Sequence, residues 1–189
     1  MEFYIDHYGW GQTGPFPKVK VDITSEMQQI VIHFDVFEKE LRAVHAVHNE
    51  AVHEDSCVEF FACLYPSDPR YINIEINPIG TVHFGFGMDR YDRELLSFDC
   101  IHSLGVQTTV DRSGEMYNWT VDYAIPYDLI TKIYGKESAL SSDAIRCNFF
   151  KCGALLQAPH YGSWKPVGTE QPDFHRSGFF GEVNLKDND

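Results

Sequence analysis

A strict alternation of side chains over residues 71–77 constrains the fold of this chain more than any other feature of its sequence. The odd positions hold polar or aromatic residues and the even positions hold isoleucine, reading YINIEIN. Because successive side chains of a strand point to opposite faces of a sheet, this pattern predicts a strand with one apolar core face. Residues 57–65 alternate in the same way, and residues 66–69, reading PSDP, predict the chain reversal of a β-hairpin.

Matching the apolar faces of the two arms gives a register for this hairpin. We expect Leu64 to lie beside Ile72, which places Glu59 across from Asn77. A slip of one residue would exchange the core face and the solvent face along the whole pair. The second face then carries a row of amides, carboxylates and aromatic rings, which is either a binding surface or an ordinary solvated sheet face.

Further alternating segments predict an antiparallel, all-β fold. The predicted strands cover residues 18–23, 27–37, 81–87, 105–110, 118–125, 144–152 and 179–185, with a strand and a loop over 41–53. Pro126 and Gly135 bracket the one predicted helix, residues 127–134. We expect residues 1–17 to form an irregular arm, residues 18–185 a single domain and residues 186–189 a frayed tail.

Charge and composition narrow the classes of partner. The formal net charge of −13 argues against nucleic acid and against an anionic membrane, because phosphates are bound by clustered Lys and Arg. Five cysteines without a CxxC pair favour neither a disulfide framework nor a zinc site. No signal-peptide pattern and no run of about 18 apolar residues is present, so we expect a cytoplasmic location, or an extracellular one if the chain has been trimmed.

Two further features point to a binding site for a polar ligand. Gly85 and Gly87 leave the outer face of the 81–87 strand nearly bare beside the polar row, and Arg90 follows. A low floor, hydrogen-bonding groups and a nearby cation together predict a groove. In the long segment 153–178, Trp164 lies outside any apolar periodicity, which favours a role that faces a ligand.

Metal ligands are present in the 45–55 segment, but their pattern is weak. His45, His48 and His53 match no usual zinc spacing, so a solvated loop is the favoured interpretation. Glu54 and Asp55 are weak candidates for a calcium site, because their carboxylates offer the oxygen ligands that this ion prefers.

Several short motifs together resemble the carbohydrate-binding module family 9-like proteins. They are residues 55–61, 71–77 with Gly80, 148–153, 160–164, 172–175 and 180–181. The resemblance implies an antiparallel β-sandwich of the immunoglobulin-like or jelly-roll-like, DOMON-like group, which agrees with the alternating strands. It also implies non-catalytic binding of a mono- or oligosaccharide derived from β-linked glucan or xylan. A structural calcium ion often accompanies the fold, no other cofactor is required, and a glycoside hydrolase is the implied partner protein.

The resemblance also implies which residues touch the sugar. Family 9 modules sandwich a sugar ring between two Trp side chains and hold its hydroxyls with polar residues. Trp164 matches the later wall, and Tyr71 is the nearest aromatic residue to replace the other wall, since no Trp occurs between Trp10 and Trp119. The implied hydroxyl-binding residues are Asn73, Glu75, Arg90 and, as a weaker candidate, Lys151.

Three alternatives remain open at this point. Glu59 and Glu75 share a predicted face, and a glycoside hydrolase uses two carboxylates about 5 to 9.5 Å apart. Some DOMON-like domains bind haem through Met and His, and the available residues are His83, Met88, His102 and Met116. The third alternative is a domain that keeps the fold without a ligand.

Overall fold

The computed structural model describes residues 1–136 and 144–185, and the predicted tail at 186–189 lies outside that range. Two antiparallel sheets pack face to face, which confirms the predicted all-β sandwich. In the described part of the chain, no helix has the length and apolar character needed to cross a membrane.

The described residues form twelve strands, two short α-helices and two single-turn 3-10 helices, the latter at Val52–Glu54 and Ser177–Phe179. In chain order the strands and α-helices are β1 (Glu2–Ile5), β2 (Lys18–Glu26), β3 (Gln29–Glu38), β4 (Cys57–Cys63), β5 (Tyr71–Ile76), β6 (Val82–Gly87), β7 (Arg93–Leu95), α1 (Phe98–His102), β8 (Gln107–Ser113), β9 (Met116–Pro126), α2 (Tyr127–Tyr134), β10 (Ala144–Gly153), β11 (His160–Ser163) and β12 (Gly181–Asn184). The smaller sheet has the order β1-β2-β3-β9-β8. The larger sheet has the order β11-β10-β4-β5-β6-β7, and β12 also pairs with β10.

Both faces of the larger sheet are buried at its central strands β4 and β5. Its inner face packs against the smaller sheet, and Ile72, Ile74 and Ile76 are at most 1% exposed, as their alternation predicts. Every residue of β4 and β5 is buried, because loop residues such as Phe174 and Phe180 pack on the outer face. The outer face is therefore covered by the protein itself and is not a solvated sheet face.

The register of the β4–β5 hairpin differs from the predicted one by two residues. Ala62 rather than Leu64 lies opposite Ile72, because β4 ends at Cys63 and the connection to β5 is longer than predicted. A shift of two residues keeps every side chain on its predicted face, since the strand period is two. Its consequence is that Glu59 lies directly opposite Glu75 instead of Asn77.

Several predicted boundaries are also wrong. Part of the expected irregular arm forms β1, which pairs with β2, and the long 153–178 segment contains β11, which pairs with β10. Residues 41–51 form no strand. The five-residue helix α1 was not predicted, because so short a helix shows no apolar periodicity.

Residues with positive φ form the turn of the β2–β3 hairpin and end helix α2. β2 and β3 meet at Met27 and Gln28, which both have positive φ (46° and 66°), as a two-residue hairpin turn requires. The predicted strands 18–23 and 27–37 had placed this turn earlier in the chain, between residues 23 and 27. The predicted helix α2 is confirmed, and Gly135 ends it in the left-handed conformation at φ 64°.

A buried ion pair joins the two sheets. The Lys151 ammonium on β10 lies 3.0 Å from the Glu38 carboxylate on β3, and it donates to the Cys152 carbonyl and to His160 Nε2. The second oxygen of Glu38 accepts from Trp119 Nε1 at 2.7 Å. Since Lys151 and Glu38 are at most 2% exposed, each charge depends on the other for its compensation.

We predict that Lys151→Met lowers the free energy of unfolding by about 3 to 5 kcal/mol, because it leaves the Glu38 carboxylate buried without its cation. The double variant Lys151→Met/Glu38→Leu should recover most of this loss, since neither buried charge remains. Urea unfolding followed by Trp fluorescence measures both effects. The matched control is Lys39→Met, whose side chain is 70% exposed. Equal destabilisation of the single and the double variant would contradict a role for charge compensation.

Candidate functional site

A cavity of about 520 Å³ opens on the outer face of the larger sheet. Its volume lies in the range of about 300 to 1,000 Å³ that is typical of small-molecule sites. The lining combines carboxylates, guanidinium groups, imidazoles and aromatic rings: His53, Glu59, Phe61, Glu75, His83, Arg90, Arg93, Leu95, Cys152, Tyr161, Pro172, Phe174 and His175.

Two carboxyl groups line the cavity from neighbouring strands. Glu59 on β4 and Glu75 on β5 are directly opposite each other and only 2% and 5% exposed. Asn73 Nδ2 donates to Glu75 Oε1 at 2.9 Å, whereas Glu59 makes no hydrogen bond or ion pair with the described residues. Burial, followed by repulsion from Glu75, raises the pKa of Glu59 well above its ordinary value, and Lys151 and Arg90 oppose this rise.

Nitrogen donors line another part of the cavity. Arg93 lies over the Tyr71 ring at 4.4 Å, and the Tyr71 hydroxyl donates to His175 Nδ1 at 2.9 Å. Burial, followed by the charges of Arg93 and Arg90, lowers the pKa of His175 to about 3, so its ring is neutral at neutral pH. Arg90 is exposed at the cavity and makes no hydrogen bond or ion pair with the described residues, which leaves its guanidinium available to a ligand.

Aromatic rings provide the apolar part of the lining. Phe174 stacks on Phe150 with ring centroids 4.1 Å apart and planes 13° apart. Trp10 supports this wall from behind, because its ring packs against Phe174 at 6.0 Å and against Tyr161 at 6.5 Å. Phe61 completes the set from β4. The cavity thus presents rings together with hydrogen-bond donors and acceptors, which suits a ligand with both apolar faces and many hydroxyls.

Comparison with known protein families agrees with this chemistry. A sequence model described as carbohydrate-binding family 9 matches residues 2–185, which is nearly the whole chain. The chain belongs to carbohydrate-binding family 9. A search of curated protein sequences finds no significant match.

Solved structures of similar fold include members of the same family. A "putative carbohydrate-binding protein" from Bacteroides uniformis ATCC 8492 is 30% identical, with a TM-score of 0.83 over 96% of this chain and 84% of that one. A family 9 module from Caldicellulosiruptor kristjanssonii in complex with cellotriose is 11% identical, with a TM-score of 0.59 over 97% and 81%. A module from the same organism in complex with glucose is 10% identical, with a TM-score of 0.57 over 95% and 84%.

Four of the six predicted ligand residues lie at or directly behind the cavity of this family 9 domain. Glu75 and Arg90 line it. Asn73 and Tyr71 are fully buried and do not line it. They instead hold lining residues in place, Asn73 through Glu75 and Tyr71 through its hydrogen bond to His175.

The other two predicted residues lie elsewhere. Trp164 packs on Phe3 and Phe149, with ring centroids 4.6 and 5.8 Å away, and Lys165 covers its ring. Its role as a ligand wall stays a prediction, and this cavity does not include it. Lys151 points into the sandwich toward Glu38, because it shares the core face of β10 with Phe149.

The sequence analysis did not assign several residues of the lining to a site. Phe174 and His175 belong to the 172–175 motif and to a segment whose length had suggested function, so a signal was present. His53 had been placed in a solvated loop. Arg93 lies on a strand of three residues, which is too short to show alternation.

The two glycines predicted to leave a trough instead allow close packing. A Cβ atom at Gly85 would lie 2.5 Å from Asn73 Oδ1 and 3.1 Å from Arg93 Nε. At Gly87 it would overlap the backbone carbonyl of Asp92. The absent side chains therefore make room for Asn73 and for β7, which bring Arg93 to the cavity.

Glu54 and Asp55 do not fit a calcium site. The Asp55 carboxylate is fully buried and accepts hydrogen bonds from Arg42, from Asn77 and from two backbone amides. Glu54 accepts from the His45 ring at 2.9 Å. Calcium takes about six to eight oxygen ligands, whereas these oxygens already serve donors that brace the loop. Calcium binding by the chain remains a prediction, and we assign no ligands to it among the described residues.

We predict that Gly85→Ala destabilises the protein by about 1 to 3 kcal/mol, because the added methyl group overpacks Asn73 and Arg93. Gly178→Ala is the matched control, since a Cβ atom there would have no neighbour within 4 Å and its φ is not positive. Thermal or urea unfolding of the two variants measures the difference. Equal stability of both variants would show that the space over Gly85 is not needed.

Proposed function

We propose that the cavity binds a mono- or oligosaccharide derived from β-linked glucan or xylan, and that the protein does so without catalysis. The observation that carries this proposal is the lining of the cavity, in which aromatic rings lie among hydrogen-bond donors and hydrogen-bond acceptors. Membership of carbohydrate-binding family 9 supports the same ligand class.

A sugar has apolar faces and polar hydroxyl groups, and the cavity lining offers aromatic rings for the first and hydrogen-bonding groups for the second. A pyranose ring has apolar C–H faces, which pack on aromatic rings such as Phe174. Its hydroxyls donate and accept at once, so they can pair with carboxyl oxygens of Glu59 and Glu75 and with the Arg90 guanidinium. Each hydrogen bond contributes about 0.5 to 1.5 kcal/mol net, or about 1.5 to 3 kcal/mol when one partner is charged.

The charges of the lining favour a neutral ligand over an anionic one. Glu59 and Glu75 are buried together beside the space that a ligand would occupy. A phosphate or carboxylate group would meet these carboxyls as well as the arginines, and burying like charges together is costly. The formal net charge of −13 also disfavours an anionic ligand, because it repels negative groups.

The family relatives support glucose-based ligands. Two modules of similar fold from Caldicellulosiruptor kristjanssonii were determined with cellotriose and with glucose. A glycoside hydrolase that acts on the same glycan is the partner that we propose, since a binding module raises the effective concentration of an associated enzyme at its substrate.

The placement of the carboxyl groups favours binding over hydrolysis. Glycosidases hold two carboxylates on either side of the scissile bond. Glu59 and Glu75 instead rise side by side from the same face of one sheet. We therefore expect no release of reducing sugar from glucan or xylan, and release that Glu59→Gln abolishes would establish an enzyme.

Calorimetric titration with glucose, xylose, cellobiose and xylobiose tests the proposal. We expect one saturable site, and we expect Arg90→Ala to weaken binding about 10- to 100-fold through the loss of a charged hydrogen bond. Arg112→Ala is the matched control, because this exposed arginine lies in the β8–β9 hairpin and donates to Gly114 of the same turn.

Trp164→Phe locates the site. If the cavity binds the sugar, this variant should keep the affinity of the unsubstituted protein, since Trp164 does not line the cavity. Loss of binding in Trp164→Phe together with full binding in Arg90→Ala would place the sugar at Trp164 instead. A flat response of the unsubstituted protein to all four sugars would contradict the proposal.

A further inference from the structure

A thiol and two carboxyl groups converge beneath the cavity. Cys57 Sγ and one oxygen each of Glu59 and Glu75 lie within 4.8 Å of one another, and all three residues are buried. The strand geometry explains this convergence. Cys57 and Glu59 are two positions apart on the same face of β4, and Glu75 is the cross-strand partner of Glu59 on β5.

The cluster has too few protein partners for its polarity. Glu59 is 98% buried, lines the cavity and makes no hydrogen bond or ion pair with the described residues. A buried carboxylate is costly unless it is paired with a cation, coordinates a metal or takes up a proton. Among residues 1–136 and 144–185, the Cys57 thiol makes only one long contact, 3.6 Å, to the Val58 carbonyl. These two side chains are therefore free to take a common ligand.

The Glu75 side chain is also oriented so that it can bind this common ligand. Asn73 Nδ2 donates a hydrogen bond to Glu75 Oε1 at 2.9 Å, and Glu75 Oε2 lies 3.9 Å from His53 Nδ1. A carboxylate held by a hydrogen bond at one oxygen, with the other oxygen directed to the ion, is the arrangement by which outer partners orient metal ligands.

We propose that Cys57, Glu59 and Glu75 bind a divalent transition-metal ion of the zinc type. The thiol decides the class of ion, because thiolate ligands suit zinc and its relatives, whereas calcium and magnesium take oxygen ligands. Zinc–oxygen bonds of about 2.0 to 2.2 Å and a zinc–sulfur bond of about 2.3 Å need ligand atoms roughly 3.3 to 3.7 Å apart in a tetrahedron. Side-chain movements of about 1 Å bring the three atoms to that spacing.

Three protein ligands leave the fourth tetrahedral position open, and Glu59 and Glu75 face the cavity. A metal site with an open position accepts water or a ligand atom there. The Cys152 thiol, across from Cys57 in the register, donates to the His53 carbonyl at 3.2 Å and is already occupied. Glu59 and Glu75 take part in both proposals, but the two can be tested separately, because Cys57 does not line the cavity and Arg90 is not one of the three metal ligands.

Cobalt(II) titration of the reduced, chelator-treated protein tests the site. We expect one ion per chain, a thiolate-to-cobalt charge-transfer band in the near ultraviolet, and loss of the band when zinc is added. Loss of a partner outside the ligand shell already costs about 10- to 100-fold in metal affinity, so Cys57→Ser should cost about 100-fold or more. Cys63→Ser is the matched control, since Cys63 lies on the same face of β4 but outside the cluster.

The outcomes separate this proposal from sugar binding. In chelator-treated protein, Cys57→Ser should lose cobalt and keep sugar affinity, while Arg90→Ala should lose sugar affinity and keep the cobalt band. Circular dichroism of each variant confirms that it has folded, and Glu59→Gln, which keeps the size of the side chain, provides a second ligand variant. Absence of the cobalt band, or a band that survives both Cys57→Ser and Glu59→Gln, would overturn the metal site.

Discussion

Burial of both faces at the centre of the seven-stranded sheet is the constraint on which the other features of this protein depend. One face packs against the five-stranded sheet and is apolar, while loop residues cover the other face, which carries polar side chains among aromatic rings. A buried polar group must find a partner inside the protein, because water cannot reach it. Asn73 Nδ2 and Glu75 Oε1 meet this demand by bonding to each other, whereas Asn73 Oδ1 has no hydrogen-bond partner among the described residues.

Buried charged groups have different partners on the two faces of the sheet. On the core side, Lys151 and Glu38 form a pair whose remaining hydrogen bonds are made by Trp119, His160 and a backbone carbonyl. On the outer side, Glu59 has a second carboxyl group as its nearest polar neighbour across the ladder and no bonded cation. In the first arrangement each buried charge lies beside an opposite charge, so the pair is structural. The second is incomplete within the described protein, and that is the character of a group that meets a ligand.

The cavity itself is assembled from distant parts of the chain. The floor comes from β4 and β5, while the rim comes from the loop at His53, the turn at Arg90 and the segment at Phe174 and His175. Binding proteins often place loops over a rigid sheet, because the sheet holds the loops in position and the loop residues determine which ligand binds. The packing of Phe174 on Phe150 holds the loop segment against the sheet.

The sequence by itself determined which face of each strand is apolar, the chain reversal after β4, helix α2 with Gly135 at its end, and the family. It also pointed to Glu75 and Arg90, since the polar row and the bare strand beside it can be read from a period of two. The tertiary structure alone decided the register, the covering of the outer face, and the positions of Trp164, Tyr71 and Lys151. Alternation fixes the face of a side chain but is unchanged by a shift of two residues, so the meeting of Glu59 with Glu75 depends on the length of the turn and on packing. The loop residues of the cavity follow no period, and their positions come from contacts between segments far apart in the chain.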